Sequence, residues 1–188
     1  NNINNKGKTE MPTDKPITLQ EHAMRFGTFM GIFWIIKFIF LPLGFSIPFL
    51  QLLFVLLTLF VPILGYIYVR KFRNTYCNGE LSFFRAFVFT LYMYLFATLL
   101  VAVAHYIYFR FLDHGFLANA YLQQLENVKS AAQGEMATSI DQLIQAFDAI
   151  SSLTPLQLTF QLIFQNIFYG ILLAIPTGLV AMKHKKQF

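Results

Sequence analysis

Three stretches of the chain run without a charged residue for longer than a soluble helix or strand needs: 32 residues between Lys37 and Arg70, 24 between Arg85 and Arg110, and 34 between Asp148 and Lys183. About 20 mostly apolar residues cross the roughly 30 Å hydrocarbon layer of a bilayer, so each stretch has room for a membrane span. A fourth apolar run, Phe26 to Leu41, follows Arg25 and is interrupted only by Lys37. Pro42, Gly44, Ser46 and Pro48 then cluster closely, as expected of a tight turn between two antiparallel helices. The pattern predicts helices crossing a membrane at about residues 24–43, 47–69, 84–112 and 155–182. The expected fold is an all-α integral membrane protein, with residues 18–188 forming a single four-helix membrane domain.

Between the third and fourth spans the pattern changes. From Asp113 to Thr154 acidic residues appear at five positions against the single Lys129, and apolar residues recur at helical spacing. Leu117, Tyr121, Leu125 and Val128 suggest that the third helix runs on beyond the lipid. After a break at Gly134, Ile140, Leu143, Ile144, Phe147 and Ile150 describe a second amphipathic helix, with Thr138 or Ser139 as its expected N-cap. Residues 113–154 are therefore read as an extracytoplasmic helical hairpin, which packs on the bundle's outer mouth, docks a partner or lies on headgroups. Thr154 and Pro155 fit the N-cap and first position of the last span. Residues 1–17 are almost free of apolar side chains and are expected to be flexible. They open on Asn1, with Met11 as one candidate start.

Composition sharpens this picture. Of 188 residues, 56% are hydrophobic, 23 are Phe and only 12% are charged, against roughly a quarter charged in soluble domains. A soluble domain this small leaves some 30% of its surface exposed and has nowhere to hide so much apolar area. One cysteine, Cys77, excludes a disulfide framework and reads as an incidental loop residue. Lys6, Lys8, Lys15, Arg25, Arg70, Lys71, Arg73, Arg85, Lys183, Lys185 and Lys186 all fall on one side if the N-terminus is inside. The positive-inside rule then places both termini in the cytoplasm, and an inner bacterial membrane is the expected location. The net charge of +5 is thus a topology signal, with anionic headgroups on the cytoplasmic side as expected partners. It gives no reason to expect nucleic acid.

The chemistry that remains lies in a few polar residues. A lysine well inside a span costs at least about 2.5 kcal/mol unless it is paired, hydrated or able to snorkel. Lys37 stands 12 residues from Arg25, about 18 Å of helix rise, which puts it in the outer half of the bilayer. His105, Tyr106, Arg110, Asp113 and His114 fall near the outer end of the third span at spacings that share a helix face. Two readings follow. Either Lys37 snorkels or pairs with Asp113 and the group locks helices together, or Lys37, His105 and Arg110 form a cationic pocket for a lipid phosphate. On the last span Gln157, Gln161 and Gln165 recur every four residues beside Asn166, forming an intramembrane amide stripe that either bonds neighbouring helices or lines a polar path. Pro176 and Gly178 are expected to bend the inner end of that helix. Gly27 and Gly31 permit close backbone approach, within the bundle or at a homo-oligomer face. Arg70, Lys71, Arg73 and Arg85 flank a short loop that serves as a docking surface for a cytosolic enzyme or for anionic lipids. No metal-ligand cluster, phosphate-cradling loop or nucleophile elbow is present in the sequence, so neither enzymatic activity nor a cofactor is expected.

Three local patterns carry a resemblance: Arg25-x-Gly27-x-x-x-Gly31 with Lys37-Phe38 downstream; Lys71-Phe72-Arg73-Asn74-x-Tyr76-x-x-Gly79-x-x-Ser82-Phe83; and the run His105 to Phe116. From about Thr18 onward the chain resembles a small four-span inner-membrane family of unknown function widespread in Bacteroidota. No residue roles carry over from it. Its members often accompany a polyprenyl-phosphate glycosyltransferase, so the resemblance implies an accessory or scaffolding subunit for envelope lipid or glycan assembly. The alternative it implies is a small transporter or flippase for a polyprenyl-phosphate-linked substrate.

Overall fold

A computed structural model describes residues 18–183, and within them the chain folds into six α-helices. The expectations for residues 1–17, for Lys185 and Lys186 and for the far C-terminus fall outside that range. Helix α1 runs Leu19–Gly44, α2 Pro48–Tyr76, α3 Phe83–Ile107, α4 Phe116–Ala131, α5 Glu135–Ser151 and α6 Pro155–Ala181. Four of them, α1, α2, α3 with its extension to Leu112, and α6, are long and apolar enough to cross a membrane. Their outward side chains are apolar and uncovered, with Phe164 68% exposed and Leu59 64% exposed. Water would penalise such a belt at about 25 cal/mol per Å²; hydrocarbon does not.

Local sequence sets the ends of these helices. Thr18 and Glu21 form a capping box that starts α1 five residues before the predicted span. A second box, Thr154 with Gln157, starts α6 with Pro155 at its first position. Pro48 starts α2 in the same way, and α2 continues through Arg70, Lys71 and Arg73 to Tyr76. The turn between α1 and α2 is only Phe45–Ile47, since Pro42 lies inside the last turn of α1.

Helix α3 is the centre of the bundle, with α1 packed on one side and α6 on the other. Helix α2 closes the ring between α1 and α6 and approaches α3 only locally. Half of the apolar stretch of α3 is buried, including Phe89, Met93, Tyr94, Ala97 and Val101. The Gly27 and Gly31 step is used here. A Cβ on Gly27 would stand 2.7 Å from the Met93 carbonyl oxygen, and one on Gly31 would stand 2.8 Å from Leu100 Cδ2. These glycines set the α1–α3 distance inside the bundle. Gly178 likewise lets α6 approach Phe83 and Phe87, which accounts for it by packing; α6 continues past Pro176 to Ala181.

The segment after α3 departs from the expected run-on. Residues 108–112 form a π-turn, with the Asp113 N–H bonded to the Tyr108 carbonyl at 2.9 Å. His114 and Gly115 then take positive φ, +46° and +82°, and an L side chain in that region interrupts a helix. Helix α4 is therefore a separate element. Helix α5 starts at Glu135 after Gly134, and Thr138 and Ser139 lie inside its first turns, bonded back to Gly134 and Glu135, so neither is its N-cap. Helices α4 and α5 pack on each other in antiparallel register, with Tyr121 against Phe147 and Lys129 paired to Asp141 at 2.5 Å.

Candidate functional site

The two ends of the bundle differ. At the end carrying Thr18 and Lys183, the interior is filled by Phe72, Phe89, Met93 and Tyr94, all at most 2% exposed. At the other end, beneath α4 and α5, the helices enclose an open cavity of about 1170 Å³ to which all six helices contribute. That exceeds the few hundred to roughly 1,000 Å³ of ordinary small-molecule sites.

On α1 the lining residues are Trp34, Lys37, Phe38 and Leu41, at i, i+3, i+4 and i+7 on one helix face. The Lys37 ammonium lies 5.4 Å from the Phe54 ring centre and 6.0 Å from that of Trp34, within the range of cation–π attraction. Among the described residues the salt bridge is Lys129 with Asp141, and Asp113 is engaged elsewhere. Its two carboxylate oxygens accept the N–H groups of Gly115 and Leu117, each at 3.0 Å. The expected Lys37–Asp113 pairing is thus replaced by a cap on the start of α4, because the π-turn and the left-handed pair at 114–115 direct the carboxylate to those orphan amides.

His105, Arg110 and His114 line the cavity with Lys37, whereas Tyr106 faces outward and is exposed. Uniform α-helical spacing would place residues 106 and 110 together. The i→i+5 bonding at 108–112 widens that turn and brings residues 105 and 110 to one side instead, a local departure of the kind that recurs at functional sites. Two cavity-lining residues carry buried polar atoms with no hydrogen-bond partner, Trp34 Nε1 and His105 Nδ1.

The opposite wall belongs to α6. Gln161, Gln165 and Asn166 line the cavity with Leu158, Leu162 and Tyr169. Gln165 reaches the Tyr169 hydroxyl at 3.5 Å. Gln157 leaves the predicted stripe: its Oε1 accepts the Thr154 N–H at 2.9 Å and the Thr154 hydroxyl at 3.0 Å, so the helix cap holds it. The roof consists of Leu117, Ala118 and Tyr121 from α4 with Phe147, Ile150 and Ser151 from α5. Burial pushes the Tyr121 phenol up from its ordinary pKa, so it stays a neutral donor at physiological pH. The lining residues missed by sequence reasoning, Trp34, Phe54 and Thr58, are chiefly apolar or aromatic. The i, i+3, i+4, i+7 face around Lys37 was the available signal for Trp34; for Phe54 and Thr58 there was none.

The basic residues at the far end separate as well. Arg70, Lys71 and Arg85 are exposed. Arg73 donates from Nη1 to the Ala181 carbonyl at 2.8 Å and from Nε to Asn74 at 3.0 Å, so it caps the C-terminus of α6. A two-way backbone bridge between Leu81 and Lys183, 2.9 Å in each direction, holds the α2–α3 turn to the same place. Cys77 is partly buried there, and desolvation pushes its thiol pKa up against the opposing charge of Arg85. Reactive cysteines show the opposite shift. Among the described residues no group of three His, Cys, Asp or Glu side chains is placed to hold a metal ion.

A family model described as "Protein of unknown function (DUF4199)" matches residues 25–183. Comparison with curated proteins gives no match, and comparison with solved structures gives none.

Proposed function

The chain belongs to the DUF4199 family of proteins of unknown function, and on that premise we propose that it is a non-enzymatic inner-membrane protein that holds the anionic head of a lipid in the cavity beneath α4 and α5. One observation carries the reading. Lys37, His105, Arg110 and His114 from α1, α3 and the following loop face a single open cavity whose remaining lining is largely apolar, a combination that suits an amphiphile with a negative head. Lys37 has no carboxylate partner among the described residues, so a bound phosphate would offset the cost of its charge.

In this reading both termini are cytoplasmic, following the bias of basic residues, and the α4–α5 hairpin lies outside over the outer leaflet. The exposed Arg70, Lys71 and Arg85 supply a cytoplasmic face for anionic headgroups or for a membrane-associated glycosyltransferase. The protein then acts as an accessory subunit in envelope lipid or glycan assembly, as the family resemblance implies. The flippase alternative demands a route open to both leaflets. The packed layer of Phe72, Phe89, Met93 and Tyr94 closes the end that this reading makes cytoplasmic, which favours a one-sided site.

Gentle detergent purification followed by native mass spectrometry tests this. A phosphate-bearing lipid is expected to co-purify with the wild type and to be lost from Lys37→Met. A protein partner in fixed ratio supports the subunit role, whereas retained lipid alone favours lipid handling without one. Equal lipid retention by Lys37→Met and wild type overturns the cationic site.

A further inference from the structure

We infer that the cavity selects a lipid phosphate whose head also carries neutral hydroxyls, with Lys37, His105 and Arg110 receiving the phosphate and Gln161, Gln165 and Asn166 receiving the hydroxyls. This rests on the lipid-holding function proposed above and names its substrate class. The two walls of the cavity are chemically unlike. The α1–α3 wall carries Lys37 and Arg110, and its one lining carboxylate, Asp113, is buried and accepts a backbone amide at each oxygen. The α6 wall carries amides and no charge.

Amide side chains present carbonyl acceptors as well as N–H donors. A phosphate only accepts, so it leaves the amide oxygens unmatched. A ligand that satisfies this wall brings donors of its own. An ammonium head has them but meets Lys37 and Arg110 across the same cavity, where like charges repel. Hydroxyls donate and accept without charge, and they fit both constraints.

The amides themselves need such an explanation. They stand in an apolar helix, where an unpaired polar group is costly, and the described hydrogen bonds give them only the 3.5 Å contact from Gln165 to Tyr169. Gln157 shows the contrast, since the helix cap satisfies it. The cavity's volume of about 1170 Å³ leaves room for the head and the first part of its chains. The shared chemistry, a phosphodiester with a hydroxylated head, belongs both to polyol glycerophospholipids and to isoprenoid-linked sugars.

The test titrates the full-length, delipidated protein in detergent with dioctanoyl phosphatidylglycerol, phosphatidic acid and phosphatidylethanolamine, and with a short-chain isoprenyl phosphoglucose. Phosphatidylglycerol or the phosphoglucose is expected to bind more tightly than phosphatidylethanolamine, and whichever of the first two is tighter identifies the source. The double variant Gln161→Met with Gln165→Met is expected to weaken the hydroxylated lipid about tenfold, equivalent to about 1.4 kcal/mol, while leaving phosphatidic acid unchanged. Single Gln165→Met serves if the double variant does not fold. Equal loss for all lipids, no loss for any, or a change of oligomeric state by light scattering without a change in selectivity each overturn the amide subsite. If no anionic lipid binds even the wild type, the lipid-holding function itself falls.

Discussion

At the end of the bundle that carries Thr18 and Lys183, Phe72 and Phe89 stack with ring centres 4.2 Å apart and Phe26 meets Phe89 edge-on at 5.8 Å. A Cβ on Gly65 would collide with the Tyr94 hydroxyl. At the α4–α5 end the same helices draw on similar apolar composition yet leave about 1170 Å³ between them. The difference comes from a few positions. Where small residues face large rings the backbones close up, and van der Waals contact supplies the association that lipid-immersed helices cannot gain from the hydrophobic effect. Where Lys37, Arg110 and the α6 amides line the same space, no ion pair or hydrogen bond joins the two walls among the described residues. The helices stay apart there, around a largely apolar cavity into which these polar groups are set.

Perturbing the two ends should therefore give opposite results. The largest effect is expected from Gly27→Leu, whose side chain has to displace the Met93 backbone and separate α1 from α3. Folded, monodisperse protein recovered in detergent should fall to a small fraction of wild type, and normal recovery would break the claim that this end is close-packed. Lys37→Met at the open end should leave thermal stability equal or higher, because a half-buried charge with no ion-pair partner among the described residues is removed from a span. A drop in stability would show that Lys37 is needed for packing.

Smaller changes sharpen the role of the roof. Asp113→Ala removes the acceptors for Gly115 N–H and Leu117 N–H and, as for a lost helix cap, should cost about 1 kcal/mol. Its signature is faster amide hydrogen exchange across α4 with little change in α1. Lys129→Ala breaks an exposed ion pair with Asp141, worth at most about 1 kcal/mol and weakened by salt. Exchange in α4 and α5 should shift only slightly, and the shift should vanish at high ionic strength. A large effect there would mean that this one pair, rather than the Tyr121–Phe147 contact, holds α4 to α5.

The long-range pattern of the chain was legible because it reflects one solvent. Uncharged runs, prolines and caps located four long helices to within a few residues at most ends, and the capping motif at Thr154 and Pro155 was read directly. The misplacements involve local backbone competition. The break at Gly134 was read correctly but α5 starts directly after it, ahead of Thr138 and Ser139, and the left-handed His114–Gly115 pair separates α4 from α3 where side-chain patterning suggested a run-on. Gln157 looked equivalent to Gln161 and Gln165 by spacing, but it stands three residues from Thr154 and closes the cap.

Sequence alone determined the medium, the helix inventory and the short set of polar residues that hydrocarbon does not tolerate without a reason. Tertiary structure decided what those residues face. Periodicity specifies a helix's faces but carries no information on which neighbour meets each face, and a single π-turn is enough to bring Arg110 to the cavity side with His105 and away from Tyr106. Only the arrangement of helices around α3 brought Lys37, separated by more than 100 residues from the α6 amides, into one cavity with them. The same arrangement turned Gly27 and Gly31 inward and Arg73 onto the end of α6.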